Sequence, residues 1–254
     1  MNASSLSPSA AQTIEALREW FADRFLQLAD LGTKLVDGLT FDPDGNLEVS
    51  AATRRAMKAA ATHFLADHPV VDGCGLIFAH SALGTENGLL EWWVREDESR
   101  FARYSFGVVP GADRYYDYEQ HEWFVRAFAE GRTAAVGPYI DYLGVEVYIV
   151  TLTLPAVING RRVGAVGNDI QVDDLERELL PLLLRCDAEV ALLSGRGSVI
   201  LSNSTRFLPG ELVESAPNGG TFHPLSEEAD GMQVLVMNRS ARYARSSRAR
   251  APRS

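Results

Sequence analysis

The sequence predicts an α+β fold in which an antiparallel sheet of about five to six strands is covered by a long N-terminal helix and a helical, aromatic lid. Three observations lead to this prediction. An apolar stripe recurs at spacings of three and four near the N-terminus, and a pair of β-branched segments flanks Asn159-Gly160. Aromatic residues are concentrated between these two regions. Helical and strand periodicities in separate parts of one chain are typical of α+β domains.

The composition is that of an ordinary globular protein. The chain has 254 residues, of which 46% are hydrophobic and 23% charged. No apolar run approaches the ~18 residues of a membrane span. The N-terminus lacks the basic and apolar regions of a signal peptide, so we predict a cytoplasmic protein. Cys74 and Cys186 are too few for a disulfide framework, and we expect both to be buried thiols.

The charge is distributed unevenly. The net charge is −10, and residues 239–254 contain six arginines and no acid. Subtracting those six positive charges leaves −16 for the rest of the chain. The negative charge of the chain before the tail argues against nucleic acid as the main partner. The arginine-rich tail has almost no apolar residues, so we predict that it is disordered on its own. It is either a solvated tail or a contact for an acidic partner or nucleic acid.

A long first helix is predicted to start at Ser7-Pro8 and to end at Gly38. Its length exceeds the ~11–12 residues of the usual helix in a globular protein. The helix either lies across the sheet or packs part of its stripe on a second copy, which would make a homodimer. The stripe consists of Ile14, Leu17, Phe21, Phe25, Leu28, Leu31 and Leu35.

A second helix and the first strands follow. Ser50 can cap a helix that runs to about Ala66, after the turn sequence of residues 42–45. Segments 70–78 and 89–94 are then predicted to form strands. Trp92 and Trp93 are adjacent on the second of these strands and must point to opposite faces. We expect one of them in the core and the other at a pocket or an interface.

Residues 101–132 form the most aromatic segment and end in a predicted short helix that stops at Gly131. Several of the rings lie beside acidic residues, including Asp117, Glu119 and Glu122. Aromatic faces next to carboxylates suit the wall of a pocket for a cation. The alternative is that the rings only cover the core.

The central hairpin joins segment 146–154 to segment 162–170 through Asn159-Gly160, which supplies the positive φ values of a short turn. Asp141 precedes the first strand and Asp169 ends the second. Buried carboxylates are costly unless a cation or a hydrogen-bond donor meets them.

The C-terminal part is predicted to contain one helix and further strands. Asp173 and Glu176 have the spacing of a capping box at the start of that helix. We expect Pro181 to kink or restart it. Segments 189–193 and 198–203 form another hairpin, and segments 221–222 and 232–237 supply the last strands.

Four short motifs occur in order along the chain. They are W-F-x-x-A at 123–127, P-Y-x-D at 138–141, T-x-T-x-P at 151–155 and G-x-x-G-x-D-I at 164–170. In this order and spacing the chain resembles Cache domains, the PAS-like ligand-binding sensor modules of bacterial receptors. The resemblance implies a small ligand held between sheet and lid, and a role in signal transduction.

The resemblance also implies a set of ligand-binding residues, those that line the site in the amino-acid-binding branch of the family. Two positions depart from that branch, because Phe124 replaces a tyrosine and His121 stands where an arginine grips the ligand carboxylate. The implied residues are Tyr116, His121, Trp123, Phe124, Tyr139, Asp141 and Asp169.

The replacement of arginine by His121 changes the expected ligand. Arginine offers a permanent charge and a bidentate fork, whereas histidine is largely neutral at pH 7. Asp141 and Asp169, whose carboxylates would bind an amine, are both present in this chain. We therefore expect a small amine or other cationic metabolite, with an amino acid or a small organic acid as the alternative. In the alternative structural roles, Asp169 caps the next helix and His121 is a polar lid residue without contacts.

The common enzymatic motifs are missing from the sequence, and its five histidines show no metal-ligand spacing. We therefore expect a sensor without a metal or cofactor, and not an enzyme. A hydrolase or lyase that uses His121, Asp141 and Asp169 remains open.

We divide the chain into an N-terminal helical region of residues 1–68, a Cache-like ligand-binding domain of residues 69–238 and the tail of residues 239–254. Unlike most receptors of this family, the chain shows no membrane span and no effector region. It either reports to a separate effector protein, forms part of a larger receptor, or is a dimeric scaffold with an empty pocket.

Overall fold

A computed structural model describes residues 6–104, 107–111, 115–140, 147–217, 219–227 and 229–238. The predicted tail and Asp141 lie outside these residues. None of the described helices is long and apolar enough to cross a membrane. The helices are α1 (Pro8–Val36), α2 (Ala51–Asp67), α3 (His80–Leu83), α4 (Glu122–Phe124) and α5 (Val172–Leu184). The strands are β1 (Thr40–Phe41), β2 (Leu47–Glu48), β3 (Gly73–Phe78), β4 (Leu89–Arg95), β5 (Phe101–Tyr104), β6 (Ala134–Ile140), β7 (Tyr148–Ile158), β8 (Arg161–Gln171), β9 (Glu189–Leu193), β10 (Val199–Ser202), β11 (Gly220–Pro224) and β12 (Gln233–Met237).

The main sheet has six antiparallel strands in the order β5-β4-β3-β8-β7-β6. Its two longest strands, β7 and β8, form the central hairpin. Asn159 and Gly160 adopt φ values of 49° and 79° in the turn, as an Asn-Gly hairpin turn requires. The predicted α+β fold, with a long N-terminal helix on an antiparallel sheet of five to six strands, is therefore confirmed.

Helix α1 covers one face of this sheet. The Ser7 side chain accepts a hydrogen bond from the backbone N–H of Ala10 and caps the helix. All seven residues of the predicted apolar stripe are at most 5% exposed. The helix packs on β7, on other strands of the main sheet, and on α2 and α5. Because its own chain covers the stripe, a homodimer would have to use another face of α1, where Leu26 is 72% exposed.

Helix α2 packs beside α1 and holds a buried carboxylate on β4. Ser50 caps the helix by accepting a hydrogen bond from the Thr53 N–H. Glu91 is 1% exposed and forms ion pairs with Arg54 of α2 and Arg103 of β5, the second at 2.8 Å. A buried carboxylate needs such partners to offset the loss of its hydration.

Strands β9–β12 form a separate four-stranded sheet, in the order β10-β9-β12-β11. We predicted these strands but not that they would leave the main sheet. They have a small core of their own, made by Ala191, Leu193, Val199, Phe207, Leu235 and Met237. The sequence pattern shows that a segment is a strand, but it does not show which neighbour that strand pairs with.

Three local features bear on the prediction. Helix α5 begins at Val172, directly after β8, and no side chain caps it, so Asp173 lies in the first turn and is not the cap. Its charge there still interacts favourably with the helix dipole. The helix continues through Pro181 to Leu184, so it does not restart there, and the alternative of a kink at Pro181 stays a prediction. Strand β6 was not predicted, because Gly137-Pro138 in its middle is typical of a loop.

The burial of the stripe predicts a contrast between two residues of α1. Phe21→Ala should lower the free energy of unfolding by about 3–5 kcal/mol, because it leaves a cavity in the core. Leu26→Ala on the exposed face should change it by less than about 0.5 kcal/mol. Urea unfolding at two protein concentrations measures both. A large, concentration-dependent loss for Leu26→Ala would instead place Leu26 in an interface between copies.

Candidate functional site

The main sheet carries a cavity of about 440 Å³ on the face opposite α1. Side chains alternate along β8, so Val166 points to Gly32 of α1, whereas Ala165, Gly167 and Asp169 point to the cavity. The aromatic lid lies over this face and contains α4 and the π-helical turn that continues it to Ala129. A hydrogen bond of 3.2 Å from the Thr153 hydroxyl to the Trp123 carbonyl fastens the lid to β7.

Glycines make room for a tryptophan on the cavity floor. A β-carbon on Gly73 would lie 2.9 Å from Nε1 of Trp92, and one on Gly167 would lie 3.4 Å from the far edge of the same ring. The indole therefore extends from β4 across β3 to β8. Trp93, the adjacent residue, is buried in the core. The structure thus gives the two tryptophans separate roles, one in the core and one at the cavity.

A chain of hydrogen bonds positions the carboxylate of Asp169. The Thr151 hydroxyl donates to Oδ1 of Asp169 over 2.6 Å, and the hydroxyls of Tyr139 and Thr151 are 2.5 Å apart. Thr151 has one proton, which it gives to Asp169, so Tyr139 must be the donor to Thr151. Asp169 of β8 pairs with Thr151 of β7 on one side and with Gly73 of β3 on the other. The Thr151 hydroxyl of β7 therefore orients the carboxylate, and the Tyr139 hydroxyl of β6 orients Thr151 in turn.

His121 lies within the aromatic lid. Its ring stacks on Tyr116 at a centroid distance of 4.4 Å and lies nearly parallel to Trp123 at 6.3 Å. Burial lowers the pKa of His121 below the usual value, although the charge of Asp117 opposes this shift. The imidazole is therefore neutral at pH 7.

The seven residues implied by the resemblance lie in different places. Tyr116, Trp123, Tyr139 and Asp169 line the cavity on the sheet, which we call the first cavity. His121 lines a neighbouring cavity instead. Phe124 lines neither, because its ring is 1% exposed and packs between Tyr118 and Phe128 in the core. Asp141 falls outside the described residues.

The first cavity also contains charged residues that we did not predict. Arg95 directs its guanidinium to backbone carbonyls at the end of α2 and just beyond it, including those of Val71 and His68 at 3.2 Å. Arg100 is exposed and pairs with Glu96 at 2.7 Å. Asp72 and Glu96 add two carboxylates to that of the predicted Asp169. None of these additions has a motif in the sequence, although Thr151 and Thr153 at period two indicate a polar face of β7.

The neighbouring cavity, which we call the second cavity, also has a volume of about 440 Å³. It lies between the lid, β6 and the turn that joins β9 to β10. Tyr116, Trp123 and Tyr139 line both cavities. Ion pairs tie the lid to the second sheet on this side: Arg126 contacts Asp230 at 2.8 Å, and Arg196 contacts Glu122 at 2.7 Å.

Within the described residues, no group of three or more His, Cys, Asp or Glu side chains is arranged to hold a metal ion. Cys74 and Cys186 are buried free thiols, and burial raises the pKa of the Cys74 thiol. The chemistry of the first cavity is that of a binding site with an oriented carboxylate and aromatic walls.

Comparison with known proteins relates this arrangement to sensor domains. Residues 63–177 match the family model described as methyl-accepting chemotaxis protein-like, first PDC sensor domain. The matched residues extend from the end of α2 into α5 and so include the whole main sheet. No curated protein matches the sequence significantly.

Several solved structures have a similar fold, and three of them come from chemotaxis proteins or chemoreceptors. One is the methyl-accepting chemotaxis protein X, with a TM-score of 0.59 and 17% identity over 88% of this chain and 95% of that chain. Another is the ligand-binding domain of the Pseudomonas aeruginosa PAO1 amino-acid chemoreceptor PctC in complex with GABA, with a TM-score of 0.54 and 18% identity over 89% and 94% of the two chains. The ligand-binding domain of the Pseudomonas fluorescens chemoreceptor CtaA in complex with L-valine has a TM-score of 0.55 and 15% identity over 90% and 92%. At these identities the likeness shows the fold.

The lowered pKa of His121 predicts a pH dependence of stability. The unfolded chain binds the proton at a higher pH than the folded chain, so acidification through pH 6.5 favours unfolding. His121→Phe keeps a ring in the stack and removes the titration. Its melting temperature should therefore fall less than that of the wild type between pH 7.5 and pH 5.

The comparison of the two curves isolates His121, because His68 and His223, the other histidines with a lowered pKa, are present in both proteins. His121→Gln, which also lacks the titration, should show the same smaller fall. Parallel curves for the wild type and both variants would show that His121 is equally protonated in the folded and unfolded chain.

Proposed function

We propose that the chain is a sensor module that binds a small amine or another cationic metabolite in the first cavity. The observation that carries this proposal is the carboxylate of Asp169, which Thr151 orients beneath an aromatic wall. That wall contains five rings, those of Trp92, Tyr104, Tyr116, Trp123 and Tyr139. A carboxylate among aromatic faces suits an organic cation better than an anion or a neutral ligand.

The energetics favour a cation. A charge-assisted hydrogen bond from an ammonium group to Asp169 would contribute about 1.5–3 kcal/mol. Each well-placed aromatic face would add about 0.5–2 kcal/mol by cation–π attraction. The arginines that line the cavity are engaged elsewhere: Arg95 bonds backbone carbonyls, and Arg100 pairs with Glu96. His121 of the lid is neutral and lines the second cavity, so it places no positive charge in the first cavity.

An amino acid is the second candidate ligand. PctC and CtaA are similar in fold and were solved with GABA and L-valine, which carry both an amine and a carboxylate. The observation that favours this candidate is the presence of Arg100 in the lining, because its exposed side chain could exchange Glu96 for a ligand carboxylate. Asp169 would hold the amine in either case.

The geometry supports binding better than catalysis. His121 and Asp169 line different cavities, so the imidazole is not placed to exchange protons with a ligand that contacts Asp169. The matching family model describes a sensor domain, and the similar structures of PctC and CtaA are ligand-binding domains of chemoreceptors, which supports a signalling role without chemistry. We propose that residues 69–238 act as the sensor and report to a separate effector protein. A homodimer through the N-terminal helix and a cytoplasmic location stay predictions.

A thermal-shift screen against alkylamines, quaternary ammonium compounds, amino acids and organic acids tests the proposed function. A ligand at about 100 times its dissociation constant should stabilise the fold by about 2.7 kcal/mol. Amines should stabilise the wild type, and Asp169→Asn should lose this stabilisation. Because the amide keeps the shape of the carboxylate, the loss would report the missing charge.

Asp173→Asn provides the matched control. It makes the same substitution four residues further on, at an exposed position that does not line the first cavity. It should keep the wild-type response. Stabilisation by α-amino acids but not by simple amines would favour the second candidate. Stabilisation by organic acids alone, or equal responses of both aspartate variants, would overturn the proposed amine site.

A further inference from the structure

The first cavity is charged at one end. Asp169 of β8 lies in one row across the sheet with Gly73 of β3 and Val94 of β4. Asp72 directly precedes this row in the chain, and Glu96 follows it closely. We call this the charged end, because it holds all the charged side chains among the described lining residues. They are Asp72, Arg95, Glu96, Arg100 and Asp169.

The opposite end of the cavity is apolar. Ile77 of β3 pairs with Ala165 of β8, and both residues are at most 5% exposed. Thr153 of the neighbouring strand donates its hydroxyl proton to the Trp123 carbonyl at 3.2 Å, so this proton is used within the protein. Ala165 lies four residues before Asp169, which corresponds to about 13 Å along the strand. We call this the apolar end.

The ring of Trp92 connects the two ends. A β-carbon on Gly73, in the row of Asp169, would lie 2.9 Å from Nε1 of this ring. A β-carbon on Gly167, midway between Asp169 and Ala165, would lie 3.4 Å from its far edge. Because both positions are glycine, the indole lies close to the sheet and leaves the space above it to a ligand. An apolar surface therefore leads from the carboxylate to the apolar end.

We propose that the first cavity selects a primary amine with a single positive charge and an extended apolar tail of about six carbon atoms, which fits within the ~13 Å between the two ends. This inference rests on the proposed amine site and names the class of amine that it takes. The ammonium group meets Asp169, and the tail lies along Trp92 towards Ala165. The volume of about 440 Å³ is in the range of small-molecule sites.

The distribution of charge disfavours a ligand with a second charged group. A second ammonium group at the far end of the tail would lose its hydration between Ile77 and Ala165, where none of the described lining residues carries a carboxylate. A carboxylate beside the amine would lie at the charged end, where Asp72, Glu96 and Asp169 repel it. Diamines and amino acids should therefore bind more weakly than monoamines of the same length.

Isothermal titration with a series of alkylamines, from n-propylamine to n-hexylamine, tests the proposal on the wild type. Each added methylene should lower the dissociation constant about fourfold, because the apolar end removes it from water. Hexylamine should thus bind roughly 60-fold more tightly than propylamine. Asp169→Asn should weaken all members by a similar factor, because they share the same ammonium group.

Two pairs of ligands test the single charge. Hexylamine and 1,6-diaminohexane differ only in a second ammonium group at the far end of the chain. Pentylamine and norleucine differ only in a carboxylate beside the amine. In both pairs the monoamine should bind at least about tenfold more tightly, because the second charge is desolvated or repelled.

A variant locates the tail. Ala165→Leu fills the apolar end and should weaken hexylamine about tenfold or more, whereas propylamine should bind as it does to the wild type. Val157→Leu is the matched control. It also enlarges an apolar side chain of the central hairpin, at a position that is 44% exposed and lines neither cavity. It should bind both amines like the wild type.

The outcomes separate this inference from the proposed function. If no amine of the series binds, both are overturned. If propylamine binds and depends on Asp169 but hexylamine binds no better, the amine site is retained and the apolar tail is wrong. Tighter binding of diaminohexane or norleucine than of its monoamine partner would contradict the single charge. An equal loss of hexylamine binding in Ala165→Leu and Val157→Leu would show that the tail does not reach Ala165.

Discussion

The register of the β7–β8 hairpin is the constraint on which the rest of the structure depends. Alternation along β8 sends Val166 to helix α1 and sends Gly167 and Asp169 to the first cavity. A slip of one residue would exchange these faces, burying a carboxylate against α1 and removing it from Thr151. The turn at Asn159-Gly160 and the apolar cover of α1 therefore also determine where the charged group of the binding site lies.

The aromatic lid connects two cavities and two sheets. Three of its neighbouring rings are shared between the cavities, and its charged side chains are paired with the second sheet through Asp230 and Arg196. A ligand that moves the lid must therefore also change these ion pairs. In a sensor, such a contact offers a physical route from the bound ligand to the rest of the chain, since the ligand favours the arrangement it contacts best.

Sequence patterns were most informative where the interactions are local. Ser7 and Ser50 cap their helices as predicted, and the Asn-Gly turn joins the predicted strands. The sequence patterns failed where a partner far away in the chain decides the local structure. Strand β6 forms despite Gly137-Pro138 because β7 offers it a paired edge. Asp173 is not a cap because β8 continues to Gln171 and brings the chain directly into the helix.

The sequence by itself determined the fold class, the long helices and the central hairpin, because periodicity, capping and turn chemistry act over a few neighbouring residues. Only the tertiary structure decided the position of each side chain around the cavities. It placed His121 beside the second cavity, buried Phe124 in the core and turned Arg95 towards the end of α2. These positions depend on residues far apart in the chain, whose packing no local pattern records.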